Sequence, residues 1–206
     1  MPLFITLEGG EGCGKSLQAK RLYRKLTQKG ITSLLTQEPG GTPMGKRITY
    51  WLKWQDGHRI SAMAELMLFN ASRAELVNKV IRPALEEGQI VICDRYTDST
   101  LAYQGYGRGI DLGFVKALNN AASGSLKPDL TILLDIPHEE GLGRKKKARD
   151  RFEQEEATFH RRVRQGYLKL AAEEPQRWLV IDATQSKDRV ATLIWQKVSA
   201  MLAPED

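Results

Sequence analysis

Five short apolar runs recur along the chain, and each is followed by a segment with helical spacing of apolar positions. Leu3-Phe4-Ile5-Thr6-Leu7, Ile31 to Thr36, Gln89-Ile90-Val91-Ile92-Cys93, Leu130-Thr131-Ile132-Leu133-Leu134-Asp135 and Trp178-Leu179-Val180-Ile181 read as strands. Near-continuous apolar runs, instead of strict alternation, are what a sheet covered on both faces requires. Leu17, Leu22 and Leu26 fall among Lys20, Arg21, Arg24 and Lys25 and stop at Gly30, which predicts the first helix. Ser61 opens a long helix over 62–85 whose face carries Leu66, Phe69, Leu76, Val77 and Val80. Further helices are predicted from Thr97 onward, over Lys116 to Ala122, over Phe159 to Leu170 and over Val190 to Leu202. Strands alternating with helices throughout predict an α/β fold, a doubly wound five-stranded parallel sheet with flanking helices and right-handed crossovers. No repeat, low-complexity segment or linker interrupts the pattern, so residues 1–206 are expected to form a single domain.

Composition narrows the class. At 206 residues and 41% hydrophobic, the chain has material for one substantial core. No run approaches the roughly 18 apolar residues of a membrane span. The chain enters its first strand without a basic n-region, so a secretory signal is not expected. Two cysteines, Cys13 and Cys93, suit a reducing, cytoplasmic setting and offer no disulfide framework. The formal net charge of +6 raises the question of nucleic acid, and much of the excess lies in Arg144-Lys145-Lys146-Lys147-Ala148-Arg149-Asp150-Arg151. The chain lacks the aromatic interleaving of a single-strand platform, so nucleic acid is not the expected partner. The run is then either a solvated face or a mobile cationic lid.

The stretch Gly9-Gly10-Glu11-Gly12-Cys13-Gly14-Lys15-Ser16 lies between the first strand and the first helix and matches G-x-x-x-x-G-K-[ST], the phosphate-binding P-loop. Its glycines let backbone N–H groups converge on phosphate oxygens, and the helix N-terminus adds partial positive charge. Residues 9–16 are therefore the expected ATP site, with Lys15 on the outer phosphates and the Ser16 hydroxyl a ligand of Mg2+. Cys13 reads as small filler within the loop. The third strand ends in Asp94-Arg95-Tyr96. A carboxylate at the end of a core strand beside a P-loop is the usual water-mediated Mg2+ ligand, and Arg95 would sit where phosphate charge changes hands. The alternative is a surface ion pair worth about 0 to 1 kcal/mol.

Glu38-Pro39-Gly40-Gly41-Thr42 follows the second strand, at the sheet edge where open parallel sheets place their ligands. A plain connector needs Gly and Pro there, but not Glu38. Arg73 falls in the apolar stripe of the long helix, four residues after Phe69 and so beside it. A buried guanidinium requires a partner. It is either an internal carboxylate or a planar ligand, on which Phe69 stacks while Arg73 donates to a carbonyl oxygen. Ser99 with Tyr103 and Thr100 with Gln104 are i, i+4 pairs, a polar cluster suited to a base and a sugar.

Taken together, the P-loop with its Glu11, Glu38 to Thr42, Phe69-Asn70-Ala71-Ser72-Arg73-Ala74 and the block Asp94 to Gln104 resemble the thymidylate kinase family. The resemblance continues through Gly105-Tyr106-Gly107-Arg108-Gly109, Lys127-Pro128-Asp129-Leu130-Thr131 and Asp150-Arg151-Phe152-Glu153. It implies a P-loop NTPase-like fold with a short lid at roughly 141–152, a homodimer, and transfer of the γ-phosphoryl of ATP to dTMP with Mg2+. It implies that Phe69 stacks on thymine and Arg73 donates to its O4, that Ser99, Thr100 and Gln104 lie at the nucleoside, and that Tyr103 crowds the sugar 2′ position. Glu38 would border the acceptor site, and Arg95 would contact the acceptor phosphate. Because the P-loop carries Glu11 where some families carry an arginine, the resemblance is to the bacterial type with catalytic arginines in the lid. Arg144, Arg149 and Arg151 then join Lys15, Arg95 and Glu11 as catalytic candidates. The chain departs from the family pattern at Gln37 and Thr49, where arginines are usual, and at Lys46, where glutamate is usual.

Overall fold

A computed structural model describes residues 2–54, 60–144 and 150–202. Its five strands are β1 (Leu3–Glu8), β2 (Ser33–Gln37), β3 (Ile90–Asp94), β4 (Leu130–Asp135) and β5 (Trp178–Asp182). They form one parallel sheet in the order β2-β3-β1-β4-β5. All six residues of β1 are buried, as are the first four of β3 and the first five of β4, which is why these segments read as unbroken apolar runs.

Helices cover both faces. In chain order they are α1 (Lys15–Gln28), α2 (Pro43–Trp54), α3 (Ala62–Leu76), α4 (Arg82–Glu86), α5 (Thr97–Thr100), α6 (Leu112–Ser123), α7 (His138–Gly143), α8 (Ala157–Glu173) and α9 (Lys187–Leu202). On one side α1 and α9 bury Leu22, Leu26, Val190, Ile194 and Val198 against Ile5, Leu7 and Ile132. On the other, α8 buries Phe159, Val163 and Tyr167 with Leu66 of α3 and Leu133 of β4.

The long helix expected over 62–85 is not uniform. A π-helical turn, Val77–Ile81, separates α3 from α4. Pro83 is the cause: it lacks an N–H, and its ring would strike the carbonyl of Lys79 in a regular helix, so the chain widens by one residue before it. A second π-helical turn, Leu101–Gly107, extends α5, with Arg108 N–H donating to Tyr103 O at 2.9 Å. It carries Tyr103 and Gln104, and Gly107 sits where a Cβ would press on the Phe159 ring.

The strand register sets the site. Leu7 of β1 and Gln37 of β2 both pair with Asp94 of β3, so the P-loop, the 38–42 loop and the Asp94-Arg95 corner leave the sheet at one level. This is the carboxyl edge at which open parallel sheets bind ligands.

Candidate active site

From β1 the chain enters the P-loop and turns into α1 at Lys15. Gly12 has φ +71°, and a Cβ there would collide with the backbone of Gly141 in α7, so the loop and α7 meet glycine to glycine. Lys15 Nζ folds back over the loop, donating to Gly10 O at 2.7 Å, Gly9 O at 3.1 Å and Cys13 Sγ at 3.4 Å. Those carbonyls hold the ammonium where a phosphate would meet it. Cys13 is buried beneath, as filler. Ser16 Oγ donates to the Asp94 carboxylate, so the hydroxyl and carboxylate expected to share a metal are already in contact.

Arg95 is heavily engaged at this edge. Its φ is +74°, a left-handed conformation that an L-residue holds only when its surroundings impose it. Its Nη1 donates to Gly9 O (3.1 Å), Ser99 Oγ (3.2 Å) and Tyr167 Oη (3.2 Å). Its Nη2 donates to Glu11 Oε1 (2.8 Å) and Tyr103 Oη (3.2 Å), with the Tyr103 ring 5.0 Å beneath the guanidinium. Burial works against this charge, but Tyr103, Glu11, Tyr167 and Glu8 outweigh it and hold Arg95 above its ordinary pKa. Tyr103 Oη also donates to Glu11 Oε1 at 2.8 Å, so Glu11 acts here as an anchor for the arginine and the tyrosine together.

A cleft of about 360 Å³ opens beside these groups. Of the expected site residues, Glu11, Gly12, Gly14, Lys15, Ser16, Glu38, Phe69, Asp94, Arg95, Ser99, Thr100, Tyr103 and Gln104 line it. Gln104 Nε2 donates to Glu65 Oε1 at 2.7 Å, and Thr100 Oγ1 lies 2.8 Å from Thr97 O and from Asn119 Oδ1. Phe69 faces the cleft with Phe152 tilted 54° against it, ring centroids 5.8 Å apart.

Three placements differ from expectation. Arg73 has no exposed surface and does not line the cleft. Its Nε donates to Glu38 Oε2 (3.0 Å), Nη1 to Asn119 Oδ1 (2.6 Å), Asn70 Oδ1 (3.0 Å) and Thr100 Oγ1 (3.3 Å), and Nη2 to Glu38 Oε1 and Tyr96 O. Of the two partners open to a buried guanidinium, this geometry takes the internal carboxylate. Burial pushes the Glu38 carboxyl up from its ordinary pKa, and the Arg73 charge opposes that rise.

Arg151 is committed elsewhere. It donates to Glu65 Oε2 (2.6 Å) and Leu52 O (2.9 Å), so it is tied to α2 and α3 and not poised over the P-loop. Glu65, wholly buried, gathers Gln104, Arg108 and Arg151. Arg144 donates to Ala183 O (2.9 Å) beyond β5. Arg149 lies outside the described residues, as do Lys145, Lys146 and Lys147.

Gln37 and Thr49, the two positions where the family usually has arginine, line the cleft. Pattern reading passed over Lys53, which lines it as well and pairs with Asp150 at 3.1 Å. Behind Arg95 lies Glu8, fully buried, accepting from Tyr96 N (2.7 Å), Ser99 Oγ (2.6 Å) and Tyr167 Oη (2.8 Å). The available signal was an acidic residue closing an apolar strand directly before the glycine-rich loop.

A phosphate loop, a hydroxyl–carboxylate pair suited to Mg2+, a framed arginine and an adjoining cleft faced by an aromatic ring define a P-loop phosphotransferase acting on a small nucleotide acceptor. The thymidylate kinase family model matches residues 7–194. A thymidylate kinase of Dehalococcoides mccartyi is 57% identical over 203 residues, 98% of each chain. One of a Synechococcus strain is 54% identical over 200 residues, 97% of this chain and 96% of the relative. The crystal structure of thymidylate kinase from Ehrlichia chaffeensis superposes with a TM-score of 0.77 at 32% identity, covering 96% of this chain and 98% of that one. The chain belongs to the thymidylate kinase family.

Proposed function

We propose that the chain transfers the γ-phosphoryl of ATP to dTMP, yielding dTDP and ADP. The observation that carries this reading is one cleft reaching from Lys15 and Ser16 at the P-loop, past Arg95, to Phe69, Thr100 and Gln104. Phosphoryl transfer depends on positioning and on cations around the two phosphates, and this cleft is arranged for both. Lys15 exchanges its loop carbonyls for the phosphates of ATP. Arg95 presents its guanidinium to the acceptor phosphate. Phe69 offers a face for the base, with Thr100 and Gln104 along its edge and Tyr103 beneath the sugar.

Ser16 and Asp94 are the groups that would hold Mg2+. A hydroxyl and a carboxylate are hard oxygen donors of the kind Mg2+ takes, and these two lie side by side at the P-loop. Mg2+, when bound, neutralises charge on the transferring phosphate oxygens. Among the described residues no cluster of three or more His, Cys, Asp or Glu side chains is placed to hold a metal, which suits an ion arriving with ATP.

The whole chain is read as one kinase domain whose lid, at roughly 141–152, brings cations over ATP and excludes water. Among the described residues the Arg144 side chain donates to the Ala183 carbonyl alone, with Asp182 nearby, and it is the arginine to turn toward the donor. Arg151 remains the tether to α2 and α3. Among the described residues no helix is long and apolar enough to cross a membrane, and a cytoplasmic location accords with the free cysteines Cys13 and Cys93.

Initial rates with ATP and each nucleoside monophosphate test the assignment. The expected result is a clear preference for dTMP, and preference for dCMP, AMP or GMP would refute it. A DNA-stimulated ATPase with salt-dependent DNA binding would favour the rival reading of the basic surface.

A homodimer is proposed on a specific surface. On α3, Met63 and Met67 are each 43% exposed and one turn apart, with Ala71 a further turn along, and the packed neighbour α2 exposes Tyr50, Trp51 and Trp54. Apolar groups in this number on two adjoining helices mark a contact surface. Met67→Asp is expected to shift sedimentation equilibrium from dimer to monomer, and an unchanged dimer would move the interface elsewhere.

A further inference from the structure

We infer that Glu8 is a positioning residue for the acceptor-phosphate arginine: its ionised carboxylate turns the hydroxyls of Ser99 and Tyr167 so that their oxygens receive and fix one edge of Arg95. The inference rests on the thymidylate kinase reading of the cleft. It starts from two hydroxyls, each shared between a carboxylate and a guanidinium. Ser99 Oγ lies 2.6 Å from Glu8 Oε2 and 3.2 Å from Arg95 Nη1. Tyr167 Oη lies 2.8 Å from the same Glu8 oxygen and 3.2 Å from the same Nη1.

A hydroxyl has one proton to give. Arg95 can only donate, so both oxygens accept from it; the two hydroxyls also lie 3.0 Å from each other, and it is the charge of an ionised Glu8 that draws both protons to Oε2 in place of that mutual bond. Only a carboxylate with no proton on Oε2 can take two donors there. The other oxygen, Oε1, accepts the Tyr96 N–H at 2.7 Å and ties Glu8 to the backbone immediately after Arg95, whose φ of +74° needs such support.

Pinning Nη1 has a consequence at the opposite edge. Arg95 Nε donates to no acceptor among the described residues, and Nη2 rests on Glu11 and Tyr103 at the cleft wall. The Nε–Nη2 edge is then the fork for a phosphate: Nε donates to one oxygen, and Nη2 exchanges one of its two wall partners, Glu11 or Tyr103, for the second. If Glu8 takes up a proton on Oε2, it donates to one hydroxyl, whose own proton turns to the other hydroxyl 3.0 Å away. The charge-assisted hold on both is lost, the Nη1 edge is fixed less firmly, and the fork loses its aim.

Glu8 is placed to change state near neutrality. Burial, with the Asp98 carboxylate adding to it, pushes Glu8 up to about 7, while Arg95 and the Ser99 and Tyr167 hydroxyls pull the other way. Asp98 itself is held by the Arg177 fork at 2.7 and 3.0 Å. The Cys93 thiol on the neighbouring strand also feels Glu8. Because the pKa is raised and the ionised form is the one that positions Arg95, acceptor use should fall as pH drops through this range.

Glu8→Gln keeps an oxygen for Tyr96 N–H but puts an amide donor where Oε2 accepts, which fixes the protonated arrangement. The expected result is a KM for dTMP raised about ten-fold with the KM for ATP within about two-fold, a selective loss of acceptor interactions. In wild type, kcat/KM for dTMP should show a limb near the Glu8 value of about 7. The dTMP phosphate titrates separately, near about 6. In Glu8→Gln only the phosphate limb should remain. A variant with wild-type KM for dTMP and both limbs overturns the inference. If Glu8→Gln does not fold, Tyr167→Phe, which removes one relay hydroxyl, takes its place. An unchanged KM for dTMP and an unchanged limb in that variant also overturn it. Wild-type protein with no dTMP kinase activity would instead overturn the proposed function, so the two failures are separable.

Discussion

Lys15→Ala is expected to lose turnover by about 10² to 10³-fold, or roughly 2.7 to 4 kcal/mol of transition-state stabilisation, the range for deleting one preorganised donor from a developing anionic centre. The reasoning begins with where the ammonium sits. It is only 7% exposed and is held by the carbonyls of Gly9 and Gly10, both in the loop that would wrap the phosphates. An ammonium held by neutral carbonyls is easily transferred to phosphate oxygens, because charge-assisted hydrogen bonds to an anion are about twice as strong. The fold should survive the change. Helix α1 is anchored by Leu22 and Leu26 in the main core, not by Lys15. Circular dichroism melting and an ADP-release assay on one preparation check both halves. An active Lys15→Ala protein would remove the P-loop lysine from the mechanism.

Elements whose function lies in covering the sheet were legible in the chain, and elements that face two ways were not. The three central strands appear as apolar runs because both faces of the sheet are covered there, while the edge strands β2 and β5 are apolar but only partly buried. Helix α2 did not emerge from periodicity alone. It buries only Gly45, Ile48 and Leu52, while Met44, Tyr50, Trp51 and Trp54 point outward, so apolar positions occupy more than one face and the helical period is blurred. The outward set is the same one that suggests a second copy of the chain as its cover.

The site divides in a similar way. Motif residues such as Lys15, Ser16 and Asp94 could be assigned because local sequence dictates their chemistry. The residues that hold them are separated by long stretches of chain. Glu8 meets Tyr167 across 159 positions, and Glu38 meets Arg73 across 35. Periodicity established that Arg73 would be buried and would need a partner, but only the register of β2 beside β3 brings Glu38 to it. The basic run after residue 143 shows the same limit. The family resemblance makes Arg144, Arg149 and Arg151 alike catalytic candidates, whereas Arg151 is drawn to Glu65, a buried carboxylate that no motif marks.

Arg73→Ala is expected to lower stability by about 3 to 5 kcal/mol, because removing one member of a buried ion pair leaves an uncompensated charge. Glu38 would keep its carboxylate in a site with almost no solvent contact. Asn70, Asn119 and Thr100 would lose a shared donor. Since Glu38 and Thr100 line the cleft, acceptor recognition should loosen as well, through displaced walls. Removing the stranded carboxylate distinguishes this account from a direct contact between Arg73 and the base. Arg73→Met combined with Glu38→Gln should recover part of the stability lost in Arg73→Ala, since a neutral pair carries no unpaired buried charge. Urea denaturation midpoints of the three proteins provide the comparison. If Arg73→Ala instead keeps wild-type stability and loses only its preference for dTMP, the guanidinium belongs to the ligand, and the hydrogen bonds it makes to Glu38 and Asn119 are given up when the base arrives.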